Sequence, residues 1–178
     1  MTAKTKWILD PTHSEISFRV KHLMISNVKG VFNEFNAETI AETDDFSSAS
    51  ATVNISAASI NTGNADRDAH LRSADFFDAG TFPALNFVSD SFTKKDDENY
   101  ELSGELTIKG ISKRITLDVE YGGLMKDPWG NVKAGFSVSG KINRKDWGLN
   151  WNAALETGGV LVSDEVKISA EVQFLKQS

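Results

Sequence analysis

Three histidines, His13, His22 and His70, are the side chains best suited to hold a soft metal or move a proton. A zinc centre needs three or four ligands, often at tight local spacing. His13 and Glu15 form an i,i+2 pair on one strand face, and His70 and Asp66 an i,i+4 pair on a helix. Neither pair is a complete site, and hydrogen bonding or plain exposure accounts for both. Serine chemistry has less support. Gly135-Phe-Ser-Val-Ser-Gly140 has one residue too many for a Gly-x-Ser-x-Gly elbow and lies in an alternating strand. No glycine loop that would cradle a nucleotide phosphate is present. The carboxylate pairs Asp44–Asp45 and Asp96–Asp97 fall in loops, where solvated charge is the default. The expectation is a protein with no catalytic residues, no metal and no cofactor.

The run Asn64-Ala-Asp-Arg-Asp-Ala-His-Leu-Arg-Ser-Ala-Asp-Phe-Phe77 predicts a short helix. Asn64 suits the N-cap, and Asp66 and Asp68 fall in the first turn, where the helix dipole favours anions. Arg72 follows Asp68 by four residues, the spacing of a surface ion pair, and Leu71, Ala74 and Phe77 would face inward. A second turn of helix is expected over Lys21–Met24.

Nearly everything else alternates with period two. Ile16, Phe18 and Val20 form one apolar row, and Val53 and Ile55 another. Leu102, Leu106 and Ile108 make a third row; Ile115, Leu117, Val119 and Tyr121 make a fourth. Phe136, Val138 and Ile142 follow, and then Val166, Ile168, Ala170, Val172 and Phe174. Such rows are strands with one apolar and one wet face, which implies an antiparallel sheet. Lys109–Gly110, Gly122–Gly123, Lys94–Asn99 and Asp127–Asn131 are the turn signals between them. With so little helix, the chain must be a sandwich or a closed barrel, and periodicity does not choose between the two.

Length and charge narrow the class. At 178 residues the chain is expected to form a single domain, 1–178. Nineteen basic against twenty-five acidic side chains leave a net charge of -6, a poor platform for nucleic acid. Without cysteine there is no disulfide framework and no thiolate ligand. A secretory signal needs an apolar run of roughly 7–15 residues, yet only Trp7, Ile8 and Leu9 are consecutive before Asp10. No stretch approaches the ~20 apolar residues that span a bilayer. The expectation is a chain without stable membrane insertion, cytoplasmic as written and periplasmic if a leader has been removed.

Asp10-Pro-Thr-His-Ser-Glu-Ile-Ser-Phe-Arg-Val-Lys-His22 resembles the opening strand of the YceI-like family of polyisoprenoid-binding proteins. The likeness is strongest in Ser59-Ile-Asn-Thr-Gly-Asn-Ala-Asp-Arg-Asp-Ala-His-Leu-Arg-Ser-Ala-Asp-Phe-Phe-Asp78. It continues through Gly104-Glu-Leu-Thr-Ile-Lys-Gly110, Ile142-Asn-Arg-Lys-Asp-Trp-Gly-Leu149 and Val160-Leu-Val-Ser-Asp-Glu-Val166. The resemblance implies an all-β fold, a single antiparallel eight-stranded lipocalin-like barrel with one or two short helices. It implies a long isoprenoid or fatty-acyl chain held inside, by sequestration or transport. The inward rows then supply candidate ligand contacts: Phe18, Val20, Phe32, Val53, Ile55, Phe87, Leu106, Ile108, Leu117, Val119, Phe136 and Val138. Taken singly, each of these residues fits core filling ahead of ligand contact, because alternation reports burial and not vacancy.

The resemblance also places the helix beside the barrel mouth. Arg67, His70 and Arg72 are candidates to meet a polar head group there, since arginine pairs well with phosphate or carboxylate. Two acids accompany the two arginines and would neutralise them, which favours a helix that is merely held down. Trp147, Leu149 and Trp151 share one face of an extended segment; they either line the barrel or form an exposed ridge for a membrane or a second subunit, as in a homodimer. Trp129, at the Pro128 turn, is expected to pack over a barrel end. A lipid- or pigment-modifying enzyme using one of the histidines, and a stress-response module with a filled core, are the alternatives.

Overall fold

The computed structural model describes residues 4–23, 25–42, 45–152 and 162–177. Met24, Asp44 and the Val160–Leu161 part of the last family-like segment lie outside the described residues. The alternating rows form β1 (Lys4–Leu9), β2 (Glu15–His22), β3 (Ser26–Phe32), β4 (Phe35–Glu42), β5 (Asp45–Ser56) and β6 (Ile60–Asn61). After the helix α1 (Ala65–Arg72) come β7 (Ala84–Lys94), β8 (Asn99–Ile108), β9 (Ile111–Lys126), β10 (Val132–Asn143) and β11 (Val162–Lys176).

Six of these segments are three long staves, each broken in the middle. β1 and β2 both pair with β11. β4 and β3 pair with β1 and β2 in turn, and β5 and β6 with β4 and β3. Pro11, which has no N–H to give a ladder, breaks the first stave at the 3-10 turn Pro11–His13. Counted as staves, the sheet is a closed eight-stranded antiparallel barrel in simple meander order, sealed by β1 against β11.

Alternating directions put the β2–β3 turn, the 62–83 segment, the β8–β9 turn and the β10–β11 connection at one end. The described chain ends and the β7–β8 and β9–β10 turns lie at the other. That second end is plugged by rings. Phe46 meets Trp7, Phe136 and Tyr121 at centroid distances of 5.1, 5.2 and 5.6 Å, and Phe92 stacks on Tyr100 at 4.6 Å. Such contacts each add about 0.5–1.5 kcal/mol beyond area burial.

Several local expectations change. There is no helical turn at Lys21: β2 continues to His22, because Val20, Lys21 and His22 pair with Val28, Asn27 and Ser26. Gly122–Gly123 is not a turn between strands but a bulge within β9, where Gly135 faces Gly123 and Phe136 faces Tyr121. Trp129 does not cover the barrel end; it is 83% exposed. The β9–β10 hairpin runs past Asn99↔Glu120, the last β8–β9 pair, so its tip has no neighbouring strand to pack on. Lys109–Gly110 is the expected tight turn, with φ of 52° and 75°, the pair of positive values such a hairpin needs.

Candidate functional site

Helix α1 sits at the unplugged end. Asn64 caps it, its side chain accepting from Arg67 N at 3.0 Å. The ion pair expected between Asp68 and Arg72 is not formed. Asp68 is buried and turned to β6, accepting from the Thr62 amide at 2.9 Å and from the Thr62 hydroxyl. Arg67 donates to the same threonine, from Nε to Oγ1 at 2.7 Å and from Nη2 to the carbonyl at 2.8 Å. The His70 partner is Asp75, at 2.9 Å, rather than Asp66. Leu71 and Phe77 face the interior as expected; Ala74 is exposed, and Phe76 is buried in its place.

The 144–151 stretch meets the helix segment through Trp151. Pairing of β9 with β10 stops at Asp118↔Ser139, and the 3-10 turn Arg144–Trp147 packs on β9 beyond that point. Trp147 is fully buried and donates from Nε1 to the Leu106 carbonyl at 2.8 Å. Trp147 and Leu149 are therefore not an exposed ridge. Trp151 meets the His70 ring at 4.7 Å and Phe76 at 5.5 Å, joining this stretch to the helix segment.

Arg144 holds the stretch together. It is 3% exposed. It donates from Nε to Ser163 O at 2.9 Å, from Nη1 to the Leu149 and Trp151 carbonyls, and from Nη2 to Val162 O at 3.3 Å. Burial lowers its pKa, opposed by the Asp164 carboxylate 3.8 Å away.

Between plug and helix lies a cavity of about 660 Å³, within the ~300–1,000 Å³ range of small-molecule sites. Its wall is mostly the apolar inward face of the staves. Its ionisable lining is Lys21, His22, Asp66, Arg67, His70 and Arg144, all at the unplugged end. One closed aromatic end and one polar-lined mouth suit a molecule with a long apolar tail and a small polar head.

A model of the YceI-like domain matches residues 7–174. The chain belongs to the YceI-like family. A UPF0312 protein of Staphylococcus epidermidis is 46% identical over 171 residues, 96% of this chain and 97% of that one. A Staphylococcus aureus UPF0312 protein is 43% identical over the same coverage. Among solved structures, the Campylobacter jejuni YceI protein is 38% identical with a TM-score of 0.75, covering 89% of this chain and 90% of its own. Burkholderia cenocepacia BcnA superposes with a TM-score of 0.81 at 25% identity, covering 93% and 98%. A polyisoprenoid binding domain from Saccharophagus degradans shares the fold, with a TM-score of 0.73 at 17% identity over 99% and 100% of the two chains.

In this YceI-like barrel all twelve apolar candidates border the cavity. Phe32, Phe87, Leu106, Ile108, Leu117, Val119 and Phe136 are buried. Phe18, Val20, Val53, Ile55 and Val138 are only half-buried although they point inward, because they border the cavity. The chain's own side chains leave a cavity of about 660 Å³, which counts against the filled-core alternative. Of the head-group candidates, Arg67 and His70 line the cavity and Arg72 does not. His13 lies outside this lining and pairs with Asp10 at 2.8 Å. Among the described residues, no three histidine or carboxylate groups converge as metal ligands would.

Some wall residues were missed. The β11 row of Val166, Ile168, Ala170 and Val172 lines the cavity with the same alternation as the chosen rows, so its signal was present. Arg144 had no such signal, since it stands in the polar run Asn143-Arg-Lys-Asp146 and nothing local marks it as the side chain that turns inward.

Proposed function

We propose that this YceI-like protein is a carrier that binds a long-chain apolar lipid, polyisoprenoid, quinone-like or fatty-acyl, and sequesters or transports it. The observation that carries the reading is the unfilled apolar interior, about 660 Å³, behind a polar mouth. The Saccharophagus degradans domain of the same fold is a polyisoprenoid binding domain, and this agrees with the reading. Each buried CH₂ contributes about 0.8 kcal/mol. Summed over a long tail, that would exceed the ceiling near −18 to −21 kcal/mol, so ordering losses must consume much of it.

The twelve apolar wall residues are the tail contacts in this reading. Arg67 supports a head-group role, since its Nη1 has no hydrogen-bond partner among the described residues. His70 stands beside it on the cavity lining, and Arg72 could act only from outside. No reaction is assigned to the site.

Organic extraction of the purified protein followed by mass spectrometry tests the proposal. A lipid released at about one per chain, and taken up again by the stripped protein, is the expected result. A stripped protein that accepts no isoprenoid or fatty-acyl compound ends it. Turnover of such a compound, lost on replacing His22 or His70 while the fold survives, would favour the enzyme alternative.

A further inference from the structure

The mouth carries an apolar tip that the barrel itself does not use. Leu23 and Ile25 lie in the turn between β2 and β3, 38% and 84% exposed. Leu23 holds a φ of 56°. A bulky residue rarely adopts that backbone region, where glycine or asparagine costs less. Two local preferences are thus broken in one turn, one for polarity and one for backbone. Strain kept where a cheaper residue would serve points to a use for the side chain.

The position of the tip says what that use is. It adjoins Lys21 and His22, which line the cavity mouth, so the exposed apolar side chains stand beside the route to the apolar interior. The other ionisable groups along the mouth are Arg67, His70 and Arg144, against Asp66. Across the neighbouring strands, Lys29 is held by Glu15 at 3.2 Å, and Asp164 by Lys145 at 3.4 Å. Lys21 and Arg67 have no ion-pair partner among the described residues. An apolar tip beside unpaired cations is the pattern of an element that dips into the interface of a negatively charged bilayer.

We infer that the β2–β3 turn docks the barrel mouth onto an anionic lipid surface, so that cargo passes between bilayer and cavity without crossing water. The inference rests on the lipid-carrier reading for its cargo but not for the docking itself. A tail of many carbons has a prohibitive cost of leaving a membrane through water, at about 0.8 kcal/mol per CH₂. A mouth pressed to the bilayer removes most of that barrier and changes no equilibrium affinity.

The test uses vesicles of mixed phosphatidylcholine and phosphatidylglycerol and a pyrene-labelled fatty acid, with the full chain as wild type, Ile25→Asp and Ile25→Trp. Ile25→Asp should weaken vesicle association and slow uptake from vesicles by at least about tenfold, the scale of losing one buried branched side chain. Its thermal midpoint and its uptake of the same probe from cyclodextrin should match wild type, and Ile25→Trp should associate at least as well as wild type. Wild-type behaviour of Ile25→Asp in both vesicle assays overturns the inference, as does a wild type that ignores vesicles. A wild-type dimer that Ile25→Asp dissociates also overturns it, by assigning the tip to a second copy. Vesicle association with no uptake from either source keeps the docking and removes the carrier reading.

Discussion

The ring of Phe18 lies against Gly30, its cross-strand partner, so closely that a Cβ on the glycine would fall 2.2 Å from Phe18 Cζ. The missing side chain is therefore a seat for the ring, which also packs on Phe32 at 5.7 Å. Gly30→Ala must push the ring toward the cavity that Phe18 lines. The expected cost is about 1–3 kcal/mol of stability, the range for overpacking, together with less lipid retained after purification. Gly30→Ala combined with Phe18→Leu should recover most of both, measured by urea denaturation and extraction.

Arg144 satisfies four carbonyls at once, those of Leu149, Trp151, Val162 and Ser163. Arg144→Met takes the donor from the Leu149, Trp151 and Ser163 carbonyls, while Val162 O keeps the Asn152 amide at 2.8 Å, and about 3 kcal/mol or more of stability should be lost. Arg144→Lys should rescue little, because a single ammonium cannot reach acceptors placed for a planar fork. Faster amide exchange at Leu149, whose N–H bonds Arg144 O at 3.2 Å, would locate the damage.

The Asp68 carboxylate anchors α1 to Thr62 through the amide and the hydroxyl. Asp68→Ala should cost about 1–3 kcal/mol by stranding the threonine amide. Asp68→Asn retains an acceptor oxygen and should cost less. Calorimetric melting of both variants checks the order.

Asp10 provides a pH signature. Burial alone would raise its pKa, but hydrogen bonds from His13, Thr12 and Lys133 outweigh it and hold the carboxyl well below the usual range. The unfolded chain therefore takes up this proton first. The stabilisation is complete above the unfolded value, about 3.9, and is lost as pH falls toward the folded one. Asp10→Asn should be less stable than wild type at pH 7, with the gap narrowing steadily in denaturation curves taken below pH 4.

Arg67 and Arg72 differ in access, and the binding data should show it. Arg67→Ala should weaken capture of an acidic amphiphile more than of its uncharged alcohol, while Arg72→Ala should affect neither. Equal affinities for Arg67→Ala and wild type, with a lowered melting temperature, would leave Arg67 as scaffold only.

Strand positions were legible wherever large apolar residues alternate, as in β2, β9 and β11. β4 was harder, because its buried row is Ala37, Thr39 and Ala41, small residues with little hydrophobic contrast, while Ile40 points outward. In β7 the register shifts between Ser89 and Ser91, which returns Phe92 to the interior and breaks the simple alternation from Leu85 and Phe87. The helix cap at Asn64 was readable because capping is local. The partners of Asp68 and His70 were not, since side-chain spacing on a helix says nothing of what packs beside it.

Amino-acid order alone determined the class of fold, the faces turned from water, the helix and, through extended motifs, the family. Only the tertiary structure decided that the inward faces enclose space instead of one another. A valine against a packed core and a valine against a cavity present the same alternation, because water leaves both. Whether they meet depends on stave number and stagger, which set the width of the closed sheet. The same holds for Arg144, which the fold brings against the carbonyls of Leu149, Trp151, Val162 and Ser163, and for Leu23 and Ile25, whose place at the mouth follows from the direction of the staves.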